Sequence, residues 1–328
     1  MKEQAFVDQY GDTWEQLEAY LVLSRRARKT SPLAENVPAL YRSCCHHLSM
    51  ARQRHYSLQL TERLNALVRD TQHELYQIKP QSRYAFMRFL VADFPATIHK
   101  NRWFVLAGML LFFGPLLITG LVVYLDSDLL YGLMPAEQVR QFESMYDPEA
   151  KTIGRERDSA TDLHMFGYYI YNNISIAFRT FAGGMLLGLG AIFFLVYNGL
   201  VIGGVMGYMG SQGFVDTFFP FVAGHGSFEL TAIGLSGAAG LKLGFAIVAP
   251  GNLTRLTALK QAGKEAAIMM YAAFLMLLMA ALIEAFWSSS SVLGNPTKYA
   301  VGGILWVLVI GVFLNAMLRG RPVVEGQR

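Results

Sequence analysis

The segment that most limits what this chain can become is WFVLAGMLLFFGPLLITGLVVYL, residues 103–125. It places 23 uncharged positions between Lys100 and Arg102 on one side and Asp126 and Asp128 on the other. At about 1.5 Å per residue, it crosses the roughly 30 Å hydrocarbon core of a bilayer with some tilt, and Pro115 is expected to kink it. A second uncharged run, residues 180–215, is too long for one crossing and is interrupted by Asn198 and Gly199, which divides it into spans over 170–197 and 200–220. Further spans are expected over 227–250, 266–287 and 299–318. Composition agrees: 53% of the residues are hydrophobic and only 16% charged, where a soluble domain carries about a quarter. The reading is an all-α, polytopic bundle of about six transmembrane helices over 101–320. An N-terminal helical cytoplasmic or interfacial domain over 1–100 precedes it, and a cytoplasmic tail over 321–328 follows.

Charge placement sets the orientation. Residues 1–102 hold 15 of the 28 Lys and Arg, the 250–265 loop holds Arg255, Lys260 and Lys264, and the C-terminal end holds Arg319, Arg321 and Arg328. The opposite side has Arg140, Lys151, Arg155, Arg157 and Lys298, set against nine acids in the loop over 126–166. Positive charge collects on the cytoplasmic side, so both termini are expected inside a bacterial plasma membrane. The formal charge of +4 accompanies no nucleic-acid recognition motif, and orientation in the bilayer accounts for it. The opening MKEQAFVDQYGDTWEQLEAY is too polar for the centre of a signal peptide, so the first membrane helix is expected to remain as an internal anchor.

In the head, Tyr10, Trp14, Leu17 and Leu21 recur on one helix face, and Leu60, Leu64, Leu67 and Val68 on another. The stretch YAFMRFLVADF, residues 84–94, is aromatic-rich and lies just ahead of the first span, as an interfacial helix would. Cys44 and Cys45 are adjacent, which suits neither a disulfide framework nor a CxxC metal pair; both are expected to be reduced bystanders. In the acidic loop, Pro135 followed by Val139, Phe142 and Tyr146 predicts a short amphipathic helix.

Eighteen of the 31 glycines lie between Gly167 and Gly251, among them Gly184 with Gly188, Gly199 with Gly203 and Gly207, and Gly226. Small-xxx-small spacing lets helix backbones approach closely in lipid, and a broken segment at Asn198-Gly199 is the alternative use of such residues. PFVAGHGSFEL places His225 and Glu229 four apart, on one helix face. Ionisable groups at membrane depth need a partner or a purpose. Glu284, Asn172 and Asn173 are expected at the same outward level, and Arg179, deeper in its span, is expected to pair with Glu229 or Glu284. A polar pocket for a divalent metal or an anionic head group follows, with His225 and Glu229 as metal ligands. The simpler use is a hydrogen bond that pins two helices. Two residues fall short of the three or four ligands that zinc usually takes.

GHGSFELTAIGLSGAAGLKLG resembles the HGxxE segment of the stage II sporulation protein M family of membrane proteins. YNNISIAFRTFAGGMLLGLG and YNGLVIGG are similar to the family's Asn-containing and NG-containing spans, through Asn173, Gly184, Asn198 and Gly199, and LNALVRDTQHELY is similar to a segment of its head. The resemblance implies cell-envelope work: the sporulation member acts beside a peptidoglycan hydrolase at the septum, and other relatives are companions of AAA-type ATPases and von Willebrand factor A proteins. With no complete catalytic set in the sequence, the expected role is a non-enzymatic scaffold or transport-like component of an envelope assembly. A membrane-embedded, metal-dependent hydrolase of an envelope lipid or precursor is the second reading, and a small-solute or lipid transporter the third. Membrane lipids, envelope proteins and, through small-residue helix faces, a second copy in a homodimer are the expected partners.

Overall fold

The computed structural model describes residues 2–24, 27–28, 31–76, 82–147, 159–290 and 293–319. The described residues are helical, without a strand, and form two compact units, Met1–Tyr84 and Ala85–Arg328. The tail over 321–328 and the middle of the acidic loop lie outside the described residues.

The first unit is built on α1 (Glu3–Val22), α2 (Val37–Gln53) and α3 (Leu58–Tyr76). Phe6, Trp14 and Leu17 from α1, Cys44, Leu48 and Ala51 from α2, and Leu60, Leu64 and Leu67 from α3 make its core. Helix α2 places His47 where the Trp14 indole Nε1–H donates to its Nδ1 at 3.1 Å. Burial holds the His47 ring below the usual imidazole range, and a neutral ring is what that acceptor role needs. Arg63 grips Glu18 with two bonds of 2.8 and 2.9 Å, and Glu3 accepts from the Ser57 backbone N–H and hydroxyl at 2.7 and 2.6 Å, fastening α1 to the start of α3. Both cysteines are free thiols and Cys44 is buried.

The chain then runs through α4 (Ser82–Arg88), a π-helical turn (Phe89–Asp93) and α5 (Phe94–Lys100). The division between units falls after Tyr84 rather than near residue 100, because Phe89, Phe94 and Ile98 are buried in the main core of the second unit. Phe86, Met87, Leu90 and Val91 of the same stretch are exposed apolar side chains.

The second unit continues with α6 (Arg102–Leu125), α7 (Ala136–Tyr146), α8 (Ser159–Gly183), α9 (Leu189–Ser211), α10 (Val215–Val248), α11 (Arg255–Ile283) with its π-helical extension Glu284–Ser288, and α12 (Asn295–Arg319). Five of these, α6, α9, α10, α11 with its extension and α12, are long and apolar enough to cross a membrane. Helix α8 is more polar and is not among these five. A Cβ on Gly199, Gly203 or Gly207 of α9 would strike the carbonyls of Phe112, Leu116 and Gly120 of α6, so both numbers rise together and the two helices are parallel. A parallel pair needs a returning element between its members, and α8, 25 residues long, is that element.

The α8–α9 connection corrects the expected break at Asn198-Gly199. Helix α9 runs unbroken through both residues, and the Asn198 amide is satisfied by the Phe194 carbonyl at 2.6 Å. The chain turns instead at 184–188, where Leu187 (φ 55°) and Gly188 (φ 88°) both take left-handed backbone. Gly184 is thus at the break, whereas Gly226 lies inside continuous helix. In place of the spans expected over 170–197 and 200–220, the helices run over 159–183 and 189–211, and the second of these is long and apolar enough to cross a membrane.

Helix α10 is the axis of the bundle: 72% of its most apolar 18-residue stretch is buried, against 22% for α6 and α12. Small residues make that burial feasible, because they let α6, α8, α9, α11 and α12 all reach its backbone. The amphipathic helix expected after Pro135 is α7; Val139 is fully buried, and Phe142 and Tyr146 pack beside it on Phe218.

Candidate metal centre

Helix α10 carries His225 and Glu229 one turn apart, and both side chains turn toward the end of α11. There the helix widens at Glu284 into the π turn ending at Ser288. A π turn inserts an extra residue into the ladder and re-aims the side chains around it, which is why such turns recur at functional sites. His225 Nε2 lies 3.9 Å from Glu229 Oε2. One ligand atom from each of His225, Glu229 and Glu284 lies within 4.8 Å of the other two. His225 and Glu284 are buried and Glu229 nearly so.

The surroundings hold this group in place. The His225 Nδ1 meets the Ser288 hydroxyl at 3.1 Å, leaving Nε2 for the carboxylates, and the buried Lys298 ammonium donates to the Ser288 carbonyl at 2.8 Å. The Phe221 ring sits edge-on to His225 at 5.4 Å. Gly224 admits the Trp287 indole onto α10, where a Cβ would collide with the ring. Asn173 of α8 is buried beside the Glu229 carboxylate. Asn172 donates to its Oδ1 at 3.1 Å, while its Nδ2 has no hydrogen-bond partner. That donor is directed at the Glu229 carboxylate without closing to full hydrogen-bond geometry. Tyr146, at the end of α7, closes the group: burial first, and then the nearby charge of Glu284, raises its phenol above the usual range.

The structure therefore gathers His225, Glu229, Glu284 and Asn173, with Asn172 one step behind. Arg179 is not among them. Asn173, Ala177 and Thr180 form the buried stripe of α8, and Arg179, two positions beyond Ala177, points roughly 200° away from it. Its Nε donates to the Ser175 carbonyl at 3.1 Å on the exposed side of the helix. The expected pairing with Glu229 or Glu284 does not occur. Sequence reasoning missed Ser288, Lys298 and Tyr146. Ser288 follows Glu284 by one helical turn and was visible to spacing alone, whereas Lys298 and Tyr146 arrive from other elements by tertiary packing.

One imidazole and two carboxylates are mixed nitrogen and oxygen donors, the set favoured by zinc, manganese or iron rather than by calcium or magnesium. A metal about 2 Å from each ligand requires ligand-to-ligand separations of roughly 3 to 4 Å. The His225–Glu229 pair meets this at 3.9 Å, and the Glu284 carboxylate stands within 4.8 Å of both.

Residues 4–77 match a domain of unknown function, DUF8413, which coincides with the three-helix first unit. No curated protein and no solved structure matches the chain. Residues 108–289 match the family Stage II sporulation protein M, a stretch that runs from α6 through the π turn and includes His225, Glu229, Glu284 and Ser288. That match covers more than half of the chain, and this membrane protein belongs to the stage II sporulation protein M family.

Proposed function

We propose that the chain is a component of the bacterial plasma membrane that holds a divalent transition-metal ion at the outward end of its bundle and serves a cell-envelope assembly as a scaffold or transport-like part. The observation that carries the reading is the convergence of His225, Glu229 and Glu284 within 4.8 Å inside the protein, backed by Ser288 and the unsatisfied Asn173 amide. Three charged or chargeable groups placed together at membrane depth are costly unless something compensates them, and a divalent cation compensates two carboxylates outright. Basic residues concentrated in 1–102 support the reading of a cytoplasmic head and an outward metal group. The head is then available to envelope proteins or to an ATPase partner on the inner side.

Protein purified without chelators is expected to carry about one equivalent of zinc, manganese or iron by elemental analysis, and His225→Ala and Glu284→Gln to lose it. Metal-stripped wild-type protein that takes up none of the three with better than roughly micromolar affinity would reject the metal centre.

A metal-dependent hydrolase is the second reading. It is favoured by the count of three protein ligands, which leaves a coordination position open as catalytic zinc sites do, and by the Tyr146 phenol beside that position. Hydrolysis of a lipid-linked envelope precursor by the metal-loaded protein, abolished by Glu229→Gln, would move this reading ahead of the scaffold.

A further inference from the structure

Arg179 is an intramembrane cation on the outside of the bundle. The lower end of α8 abuts α9 through Gly183 and Gly190, and the turn beyond it lies against Gly244, one residue from the Phe245 ring that packs on Phe104 near the start of the uncharged run of α6. That fixes the end of α8 at one face of the hydrocarbon core. Counting back, Arg179 stands about 6 Å inside that face. Its side chain then runs further inward: Nε is tied to the carbonyl oxygen of Ser175, about 10 Å from the end of the helix and about two thirds of the way to the middle of a core about 30 Å thick. Arginines at helix ends ordinarily reach for the nearer head groups. This one is anchored by its own backbone in the opposite direction, and it makes no ion pair among the described residues.

The guanidinium borders a recess of about 200 Å³ between α8 and α9, lined by Ile176, Phe194, Tyr197 and Asn198. Phe178, Phe193 and Tyr197 flank it as exposed rings, the last two stacked at 5.8 Å. An aromatic-walled groove with a cation and an amide at mid-depth matches a helix that brings a carboxylate to the same level. A lipid phosphate would have to sink about 10 Å to reach it. A second copy offers nothing suitable, because Glu229, Glu265 and Glu284, the carboxylates of its described membrane helices away from their ends, all turn inward.

We propose that the α8–α9 face around Arg179 docks a membrane-spanning helix of another protein through an Asp or Glu placed at mid-depth. The proposal names the partner chemistry for the scaffold reading and rests on that part of it; the metal centre lies elsewhere and is not required. The test reconstitutes the full chain in phosphatidylcholine vesicles with a labelled poly-leucine transmembrane peptide bearing one central Asp, and measures association by energy transfer. The Asp peptide is expected to bind about tenfold more tightly than its Asn counterpart. Arg179→Gln should erase that preference, and Arg179→Glu should transfer it to a peptide with a central Lys, with the unfolding midpoint in detergent unchanged in both variants as the control for folding. Equal association of the Asp and Asn peptides overturns the proposal. An Arg179-dependent enrichment of phosphatidylglycerol without peptide preference overturns it in favour of a lipid, and Arg179-dependent self-association in favour of a second copy. Wild-type protein that takes up no metal while keeping the peptide preference would count against the metal reading alone.

Discussion

Ser288 stands between two groups that would otherwise be strained for partners: its hydroxyl meets the His225 Nδ1, and its carbonyl accepts from the buried Lys298 ammonium. A ligand imidazole is oriented by whatever its second nitrogen holds, and removal of that support typically weakens metal binding by 10- to 100-fold. Ser288→Ala is therefore expected to lower zinc affinity by about tenfold or more in a competition titration with a chelating dye, while His225→Ala removes binding altogether; identical affinities for Ser288→Ala and wild type would show that Ser288 does not orient the ring. A second residue-scale prediction concerns Cys44, whose thiol burial pushes up to about 12, with Cys45 and Glu18 adding to the effect. The folded state thus keeps this thiol neutral above the unfolded value of about 8.5, where the unfolded chain ionises. Its contribution to stability is complete below that value and falls away as pH rises through the window up to about 12. At pH 8 a thiol-disulfide reagent should modify Cys44 only after denaturation, and rapid reaction of both thiols in the native protein would contradict the buried placement. At this scale the sequence exposed the HGxxE pair and Glu284, because ionisable residues are conspicuous in apolar surroundings. It misdirected Arg179, since an assumption that every buried charge pairs within its own chain says nothing of which helix face the residue occupies.

Among the elements, α9 shows how a glycine can be misread. Asn198-Gly199 has the composition of a turn, yet Asn198 bonds back to Phe194 and Gly199 presses against the Phe112 carbonyl, so both are accommodated within a straight helix. The true turn, 184–188, is written in Met185, Leu186 and Leu187, apolar residues that signal continuation. The turn is stable there because Gly184 and Gly188 let it lie directly on Gly240 and Gly244 of α10. Tertiary contact overrides local propensity in this place. The small-residue stripe of α9 was legible, since spacing of four is a property of the sequence itself. Gly203→Ala would drive its Cβ into the Leu116 carbonyl and force α6 and α9 apart. A loss of about 1–3 kcal/mol, the usual cost of overpacking, is expected, read as a lower unfolding temperature in detergent. Gly303→Ala, on α12 with open space at the Cβ position, is the matched control and should leave the midpoint nearly unchanged. Equal shifts for the two variants would mean that the α6–α9 contact is looser than the structure shows.

For the molecule as a whole, the order of helices was legible from hydropathy except at α8, where Asn172, Asn173 and Arg179 depress the apolar average. Geometry supplies what hydropathy lacks. With α6 and α9 parallel, α8 runs back between them, and as a sixth crossing it would bring the end of α12 to the side on which α6 begins. Cysteine labelling decides between five crossings and six. In a chain with Cys44→Ser and Cys45→Ser, the substitution Gln141→Cys reports on α7, Gln212→Cys on the α9–α10 turn and Gln261→Cys on the start of α11. All three positions are exposed. With the basic head inside, an impermeant maleimide should modify Gln141→Cys and Gln212→Cys in intact cells, and Gln261→Cys only after permeabilisation. If α8 stayed on one side, Gln212→Cys would be protected while Gln141→Cys reacted, and the two ends of the chain would face opposite compartments. The same experiment locates the candidate metal site: His225 lies in α10 only a few turns beyond Gln212, so labelling of Gln212→Cys from outside would put the His225, Glu229 and Glu284 group at the outer end of the bundle, within reach of the envelope.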